Sequence, residues 1–468
     1  MASDYICAGV QTLNNILENF YRDPERGFDN HFTRLDLSNF FGQTCNMFLH
    51  SFGQNLRKRK NMEGYADNEA KMLRGMKQGT IFSQSEIVVD SGGFQVSMGD
   101  LDLEQTKGLL DIYHDFLVTH KDVYDRAFLL DLPPGQGGHP DFFKVYDDIY
   151  KWNYQSYTRA ASLPNDVKRK LVYIHHFRTP ALWDIFMKIM RDDNLFAEFE
   201  HHGTGGMVAN LASDANTPCI TYIIPLIPLL NEVKRNNRNY LHFHVLGIGN
   251  PRDIFFYEFF KTHVKKIHNI DLVISYDSAG AAFKQLNRAR YILVYDEHND
   301  MVVKMYVKTN NLDKRFGRNN MSVLDAYSNE LNSMADQYGF KKMTLRNSSD
   351  IYQKDGEGTF HDPVKIYSML YSLESMRQIQ EVSKQRSDSL YPLYEARQIE
   401  EFNRGVEMVT RKFNHERITR KQKAKTNSLV RSLDMLTTLD EDYCKYVVDR
   451  FLAKDEFIHL DPSCPLRF

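Results

Sequence analysis

Closely spaced cysteines are missing from this chain. Five occur in 468 residues, Cys7, Cys45, Cys219, Cys444 and Cys464, and no two lie within 15 residues of each other. That excludes a Cys-x-x-Cys metal knuckle and argues against a disulfide framework, so a reducing cytosol is expected. A strong charge of either sign is missing too. The formal net charge is -2, so any contact with nucleic acid must come from how charge is distributed, not from its total. The longest apolar run, 220–230 (ITYIIPLIPLL), holds two prolines and is too short to span a bilayer. The opening MASDYICAGVQTLNNIL has no basic segment before an apolar core, so no secretory signal is expected. No repeat of fixed period stands out.

What is present suits a large core. The chain is 42% hydrophobic and 26% charged, with 31 Phe and 26 Tyr but only 2 Trp. Residues 1–80 read as a mixed, mostly helical segment with a basic cluster at 57–60. From about 84 to 278, short apolar runs recur, each ending in small or polar residues: EIVVD (86–90), RAFLLD (126–131), KLVYIHH (170–176), FEHHGTGGMVAN (199–210), YLHFHVLG (240–247) and DLVISYD (271–277). Helix-length amphipathic stretches separate them, such as 103–119 and 140–161. Strands alternating with helices imply parallel βαβ units, and runs apolar on both faces imply strands covered on both sides. The expected fold is α/β, a (β/α)8 TIM-like barrel with insertions and a helical C-terminal extension; an open doubly wound sheet is the competing arrangement.

The expected division is an N-terminal segment 1–80, a barrel over 81–360 with a β-hairpin near 290–308, and a helical region 361–468. Residues 411–425 (RKFNHERITRKQKAK) carry seven Lys/Arg against one Glu. Such a run reads as a solvated helix face, or as a phosphate contact in a protein that acts on a polynucleotide. Arg417, Arg420, Lys421 and Lys423 are its candidate contacts.

Chemistry gathers at the C-terminal ends of strands in such barrels. VVDSGGFQVSMGD (88–100) ends a strand in Asp90, then turns through two glycines toward an aromatic ring, Phe94, on which a flat heterocycle can stack. The bland alternative is a strand-to-loop turn with Asp90 as a cap. IDLVISYDSAGAAF (270–283) ends in Asp277; alone, this Asp reads as a helix cap. Paired with Asp90, it fits the division of labour between nucleophile and acid/base in retaining glycosyl transfer. AFLLDLPP offers Asp131, HHGTGGMVAN offers Gly205, Gly206 and Met207, and HVLGIGNPRD offers Leu246. No GxxxxGK[ST] phosphate loop is present. His201, His202, His242 and His244 could suggest a metal cluster, but histidines alternating on strands read more simply as satisfied structural residues.

Taken in order, these five segments resemble the tRNA-guanine transglycosylase superfamily over about residues 84–285, with a weaker match at 361–380. DSGGFQ (90–95) is the specific motif; the other four persuade by their collinear order. The resemblance implies that Asp90 is the general acid/base and that Asp277, in YDSAG, is the nucleophile. It implies base contacts from Ser91, Phe94, Asp131, Gly205, Gly206, Met207 and Leu246. The family's strand glutamine falls at His175 or His176, and His175 is taken as the contact.

The family's structural zinc needs Cys-x-Cys-x2-Cys, which is absent, and His361 alone holds no metal, so no zinc or other cofactor is expected. Leu211 stands where bacterial relatives carry a glutamate that selects an aminomethyl base, which points to 7-cyano-7-deazaguanine or a relative. These departures resemble the branch from phages and bacterial DNA-modification islands. The resemblance then implies a DNA-guanine transglycosylase that evades restriction. Its partners would be DNA and the free deazaguanine base, with no membrane and with a homodimer allowed. Its compartment would be the cytoplasm, the host's if phage-encoded. A zinc-less tRNA enzyme and a non-catalytic nucleic-acid-binding subunit are the alternatives.

Overall fold

Eight parallel strands close on themselves. They are β1 (Tyr5–Ala8), β2 (Met47–Ser51), β3 (Glu86–Asp90), β4 (Arg126–Phe128), β5 (Leu171–His175), β6 (His201–Thr204), β7 (Tyr240–Val245) and β8 (Asp271–Ser278). This computed structural model describes residues 4–22, 32–56, 62–97, 101, 103–131, 146–177, 180–192, 194–205, 218–247, 251–278, 291–296, 301–306, 321–342, 362–385, 387 and 434–448. Each strand pairs with the next in sequence, and β1 pairs with β8, which closes the ring. The expected (β/α)8 barrel is the observed fold.

Side-chain alternation sorts the strands into two layers. Ile6, Met47, Leu49, Val88, Phe128, Val172 and Ile174 point inward and fill the barrel. Their neighbours Tyr5, Cys7, Phe48, Ile87, Val89, Ala127 and Tyr173 point outward into a larger core shared with the helices. Both faces are therefore apolar, as in other parallel sheets with helices outside. The covering helices follow their strands: Val10–Arg22 after β1, Tyr65–Gln78 after β2, Leu103–Thr119 after β3, Tyr146–Ala161 after β4, Pro180–Asp192 after β5, Pro218–Arg235 after β6 and Pro251–His268 after β7. The apolar run at 220–230 lies in Pro218–Arg235, and its residues from Ile223 to Leu230, the two prolines aside, are buried core. Among the described residues no helix is long and apolar enough to cross a membrane.

Two expected boundaries do not hold. The barrel begins at Tyr5, not at residue 81, because the first segment supplies both β1 and β2. These strands have four and five residues and are set among helices, too short for their periodicity to stand out. Nor does the barrel end before 361. Helix Asp362–Gln385 packs on Pro251–His268 and on Arg34–Thr44, in the position of an eighth barrel helix. Gln380 Oε1 accepts from the Asp4 backbone N–H at 2.8 Å, and its amide donates to Glu258 at 3.0 Å.

The expected hairpin is present as the antiparallel pair β9 (Tyr291–Asp296) and β10 (Met301–Tyr306). The helix Glu441–Val447, capped by Asp440, docks through Glu441, which accepts from Arg191 at 2.8 Å and from Asn231 at 2.8 Å. The basic stretch 411–425, with Arg417, Arg420, Lys421 and Lys423, lies outside the described residues, as does His361.

A fully buried side chain inside the closed ring has no room to be replaced by solvent. Ile174→Ala should destabilise the protein by about 2–5 kcal/mol, whereas Leu35→Ala, at 59% exposure, should change stability by less than about 0.5 kcal/mol. Chemical denaturation of both variants checks the contrast.

Candidate active site at the barrel mouth

On β2, β3 and β5 the inward face is apolar up to its C-terminal end and there turns polar. Asp90 is the last residue of β3 and follows inward Val88 at the spacing of two. Asp277 lies near the end of β8, with Ile6 of β1 as its register partner. Asp131 lies three residues beyond the end of β4. Three carboxylates from three strands thus gather at one mouth, and both Asp131 and Asp277 act electrostatically on Asp90.

Asp90 is held by small groups. Its register partner Ser51, the last residue of β2, donates Oγ–H to Asp90 Oδ2 at 3.0 Å. The chain then turns at Gly92, where φ is +96°, a conformation that glycine adopts without strain. A side chain there would also meet Gly53, since a Cβ would lie 2.7 Å from the Gly53 Cα. At Gly93 a Cβ would lie 2.1 Å from the Asp131 carbonyl oxygen. The two glycines are therefore what lets the β3 loop approach β2 on one side and Asp131 on the other. Burial pushes Asp90 up to about 7, and the neighbouring carboxylate of Asp131 pushes the same way; the hydroxyl of Ser51 opposes both. An ordinary aspartate titrates near 4, so Asp90 stays largely protonated up to neutral pH.

The other two carboxylates have imidazole partners. Asp131 Oδ2 lies 2.7 Å from His176 Nε2. Asp277 Oδ1 lies 3.2 Å from His244 Nε2 and accepts from the Gly247 backbone N–H at 2.8 Å. Gly205 sits close beside the first pair: a Cβ there would lie 2.8 Å from His176 Cε1 and 3.5 Å from Asp131 Oδ2. Leu246 packs on the interior cluster at the same end. Ser91 is fully buried beside Gly93, 3.4 Å from its N–H.

The structure brings Asp90, Ser91, Asp131, Gly205, Leu246 and Asp277 to the strand ends. It does not bring His175 there, which corrects the sequence expectation. Val172 and Ile174 of β5 point inward, so His175 points outward. It stacks on Phe177 and packs at a tilt against Tyr173, and its Nε2 lies 3.2 Å from His202 Nδ1. Burial holds His175 well below the usual imidazole range, so it stays neutral. His176, the next residue, turns into the mouth instead. Gly206, Met207 and the side chain of Phe94 lie outside the described residues.

Two groups at the mouth were not marked in the sequence, Ser51 and, as a partner of Asp277, His244; Gly247, the strand-end glycine of HVLGIGNPRD, supplies the backbone contact to Asp277. The four histidines at 201, 202, 242 and 244 divide between layers, with His202 packed outward on Phe196 while His242 and His244 face the interior beside Ser275. Among the described residues no three His, Cys, Asp or Glu groups converge as a metal site.

The raised Asp90 has a consequence for stability. The unfolded chain loses this proton near pH 4 and the native state keeps it until about 7, so the stability present at acid pH is lost as pH rises between those values. Asp90→Asn should therefore raise the melting temperature relative to wild type at pH 8 and change it little at pH 4. A wild-type advantage that grows toward pH 8 would contradict the assignment.

No family model, no curated protein and no solved structure matches this chain.

Proposed function

We propose that this chain is a guanine transglycosylase that exchanges guanine in DNA for a 7-deazaguanine, 7-cyano-7-deazaguanine or a relative, through an aspartyl–sugar intermediate. The reading rests on the resemblance of DSGGFQ and the four collinear segments to the tRNA-guanine transglycosylases. The observation that carries it is the unlike surroundings of two carboxylates at one barrel mouth. Asp90 is pushed to about 7 with carboxylate neighbours, while Asp277 Oδ1 accepts from the Gly247 N–H and lies 3.2 Å from His244 Nε2. Pairs whose surroundings separate them in this way divide acid/base work from nucleophilic work.

In the mechanism, Asp277 attacks C1′ of the target deoxyguanosine, and the C1′–N9 bond breaks with its electron pair going to the base. Asp90 supplies the proton that the departing guanine needs. Guanine leaves, and the deazaguanine takes its place. Asp90 then accepts the N9 proton of the incoming base, N9 attacks C1′, and Asp277 is displaced with its electron pair. Two inversions give retention. One bond of a kind is exchanged for another, so the protein needs only to hold and protonate. Asp131 suits the donor edge of either base, and its partner His176 keeps it oriented. Ser91, Gly205 and Leu246 border the same space, whereas His175 takes no part. In duplex DNA the target must also leave the stack, which costs a few kcal/mol.

A group near 7 serves as acid in the first half and base in the second without outside help. The first half needs Asp90 protonated, so kcat/KM for the polynucleotide should fall as pH rises through about 7. Asp277→Ala should lower incorporation of labelled 7-cyano-7-deazaguanine into DNA by on the order of 10⁴-fold or more while the fold persists. Duplex DNA, single-stranded DNA and tRNA are assayed together. Label entering tRNA alone overturns the choice of polymer and keeps the mechanism. Substantial activity in Asp277→Ala overturns the nucleophile.

A further inference from the structure

We infer that His244 is a positioning residue for Asp277, set in a single tautomer by a hydrogen-bonded chain that runs through the barrel interior from His242 by way of Ser275. The inference rests on the reading of Asp277 as nucleophile.

The chain follows from strand register. On β7 the outward residues Leu241, Phe243 and Val245 join the outer core, so His242 and His244 face inward. On β8 Leu272, Ile274 and Tyr276 face outward, so Ser275 and Asp277 face inward. Because His244 pairs with Ser275 and Val245 with Tyr276, the inward groups interleave up the barrel. His242 Nε2 lies 2.8 Å from Ser275 Oγ, and Ser275 Oγ lies 2.9 Å from His244 Nδ1. His244 Nε2 then reaches Asp277 Oδ1 at 3.2 Å. His242, His244, Ser275 and Asp277 are all buried. The ring of Phe128 lies 4.6 Å from that of His244 and limits its rotation.

For a His244 ring that carries a single proton, donor and acceptor rules orient the rest of the chain. A nucleophilic carboxylate only accepts, so His244 Nε2 carries the hydrogen. With that one proton on Nε2, Nδ1 is bare and accepts from Ser275 Oγ–H. The hydroxyl oxygen in turn accepts from His242 Nε2–H. His242 Nδ1 is left bare, and it is a buried nitrogen with no hydrogen-bond partner. A bare nitrogen is the less costly orphan there, since an unpaired buried N–H forfeits a hydrogen bond to water. Burial, with His201 and Arg126 nearby, keeps His242 neutral. Arg126 Nη1, which can only donate, also lies 3.4 Å from His242 Nε2; with Nε2 protonated that approach is a contact and not a hydrogen bond, and the shorter 2.8 Å bond to Ser275 sets the ring.

Two donors, His244 and the Gly247 N–H, fall on Oδ1 of Asp277, and Oδ2 receives none among the described residues. The arrangement fixes the plane of the carboxylate and leaves one oxygen for attack on C1′. A ring that served only as filling would need neither the tautomer nor the serine.

The tautomer is read directly from long-range 1H–15N spectra of protein labelled with 15N-histidine, assigned with His244→Gln and His242→Gln. His244 is expected as the neutral Nε2–H form in the wild type and as a mixture of tautomers in Asp277→Ala. A doubly protonated or Nδ1–H ring in the wild type overturns the inference. Exchange of labelled guanine into duplex DNA, single-stranded DNA and tRNA supplies the second readout. His244→Phe keeps the packing and should lower kcat by about 10- to 100-fold, with KM within about threefold. His244→Gln, which restores a donor, should recover most of the loss. Unchanged kcat in a folded His244→Phe, or equal losses in Phe and Gln variants, contradicts a positioning role. Absence of exchange by the wild type in every polymer removes the nucleophile reading and leaves the spectrum to decide the relay.

Discussion

Closure of the ring through β1 and β8 is the constraint on which the rest of the molecule depends. A parallel strand with a free edge leaves a row of backbone donors and acceptors unpaired. Here β1, only four residues long, removes both edges by pairing β2 on one side and β8 on the other. The Tyr5 hydroxyl adds a 2.6 Å hydrogen bond to the carbonyl of Ser278. Asp277 is the register partner of Ile6, so the first strand of the chain positions a candidate catalytic group near the end of the last. The eighth helix, Asp362–Gln385, reinforces this seam through Gln380 and Asp4.

Closure also decides the electrostatics of the mouth. Strand ends that would be far apart in an open sheet converge, and three carboxylates come to share one field. The barrel answers two of them with histidines and leaves Asp90 with a hydroxyl, a glycine N–H and two like charges. The raised Asp90 is thus a product of topology as much as of local burial. Its loop must carry glycine at 92 and 93 because backbone, not side chain, occupies the adjoining space.

Much of this was legible in the amino-acid order. Apolar runs ending in Asp90, Asp131 and Asp277 announced strands with polar tips, and helix-length stretches between them announced a parallel sheet. The bounds of Leu103–Thr119 and the hairpin β9–β10 agree with that reading. Two things were hidden for physical reasons. The strands β1 and β2 were too short to show a period amid helices. The choice between His175 and His176 needed the inward face of β5, and a strand apolar on both faces does not announce which side is in. Ser51 and the pairing of His244 with Asp277 matter only through neighbours brought by register, so no local pattern marked them.

The central claim is a covalent bond between Asp277 and a deoxyribose. Protein incubated with a guanine-containing DNA oligonucleotide, quenched in acid and digested, can be mapped by peptide mass spectrometry. The account predicts a sugar-linked adduct on the peptide that contains Asp277, formed with loss of guanine and discharged when a deazaguanine base is added before the quench. An adduct on another residue, or base exchange proceeding with no adduct on any peptide, would contradict it.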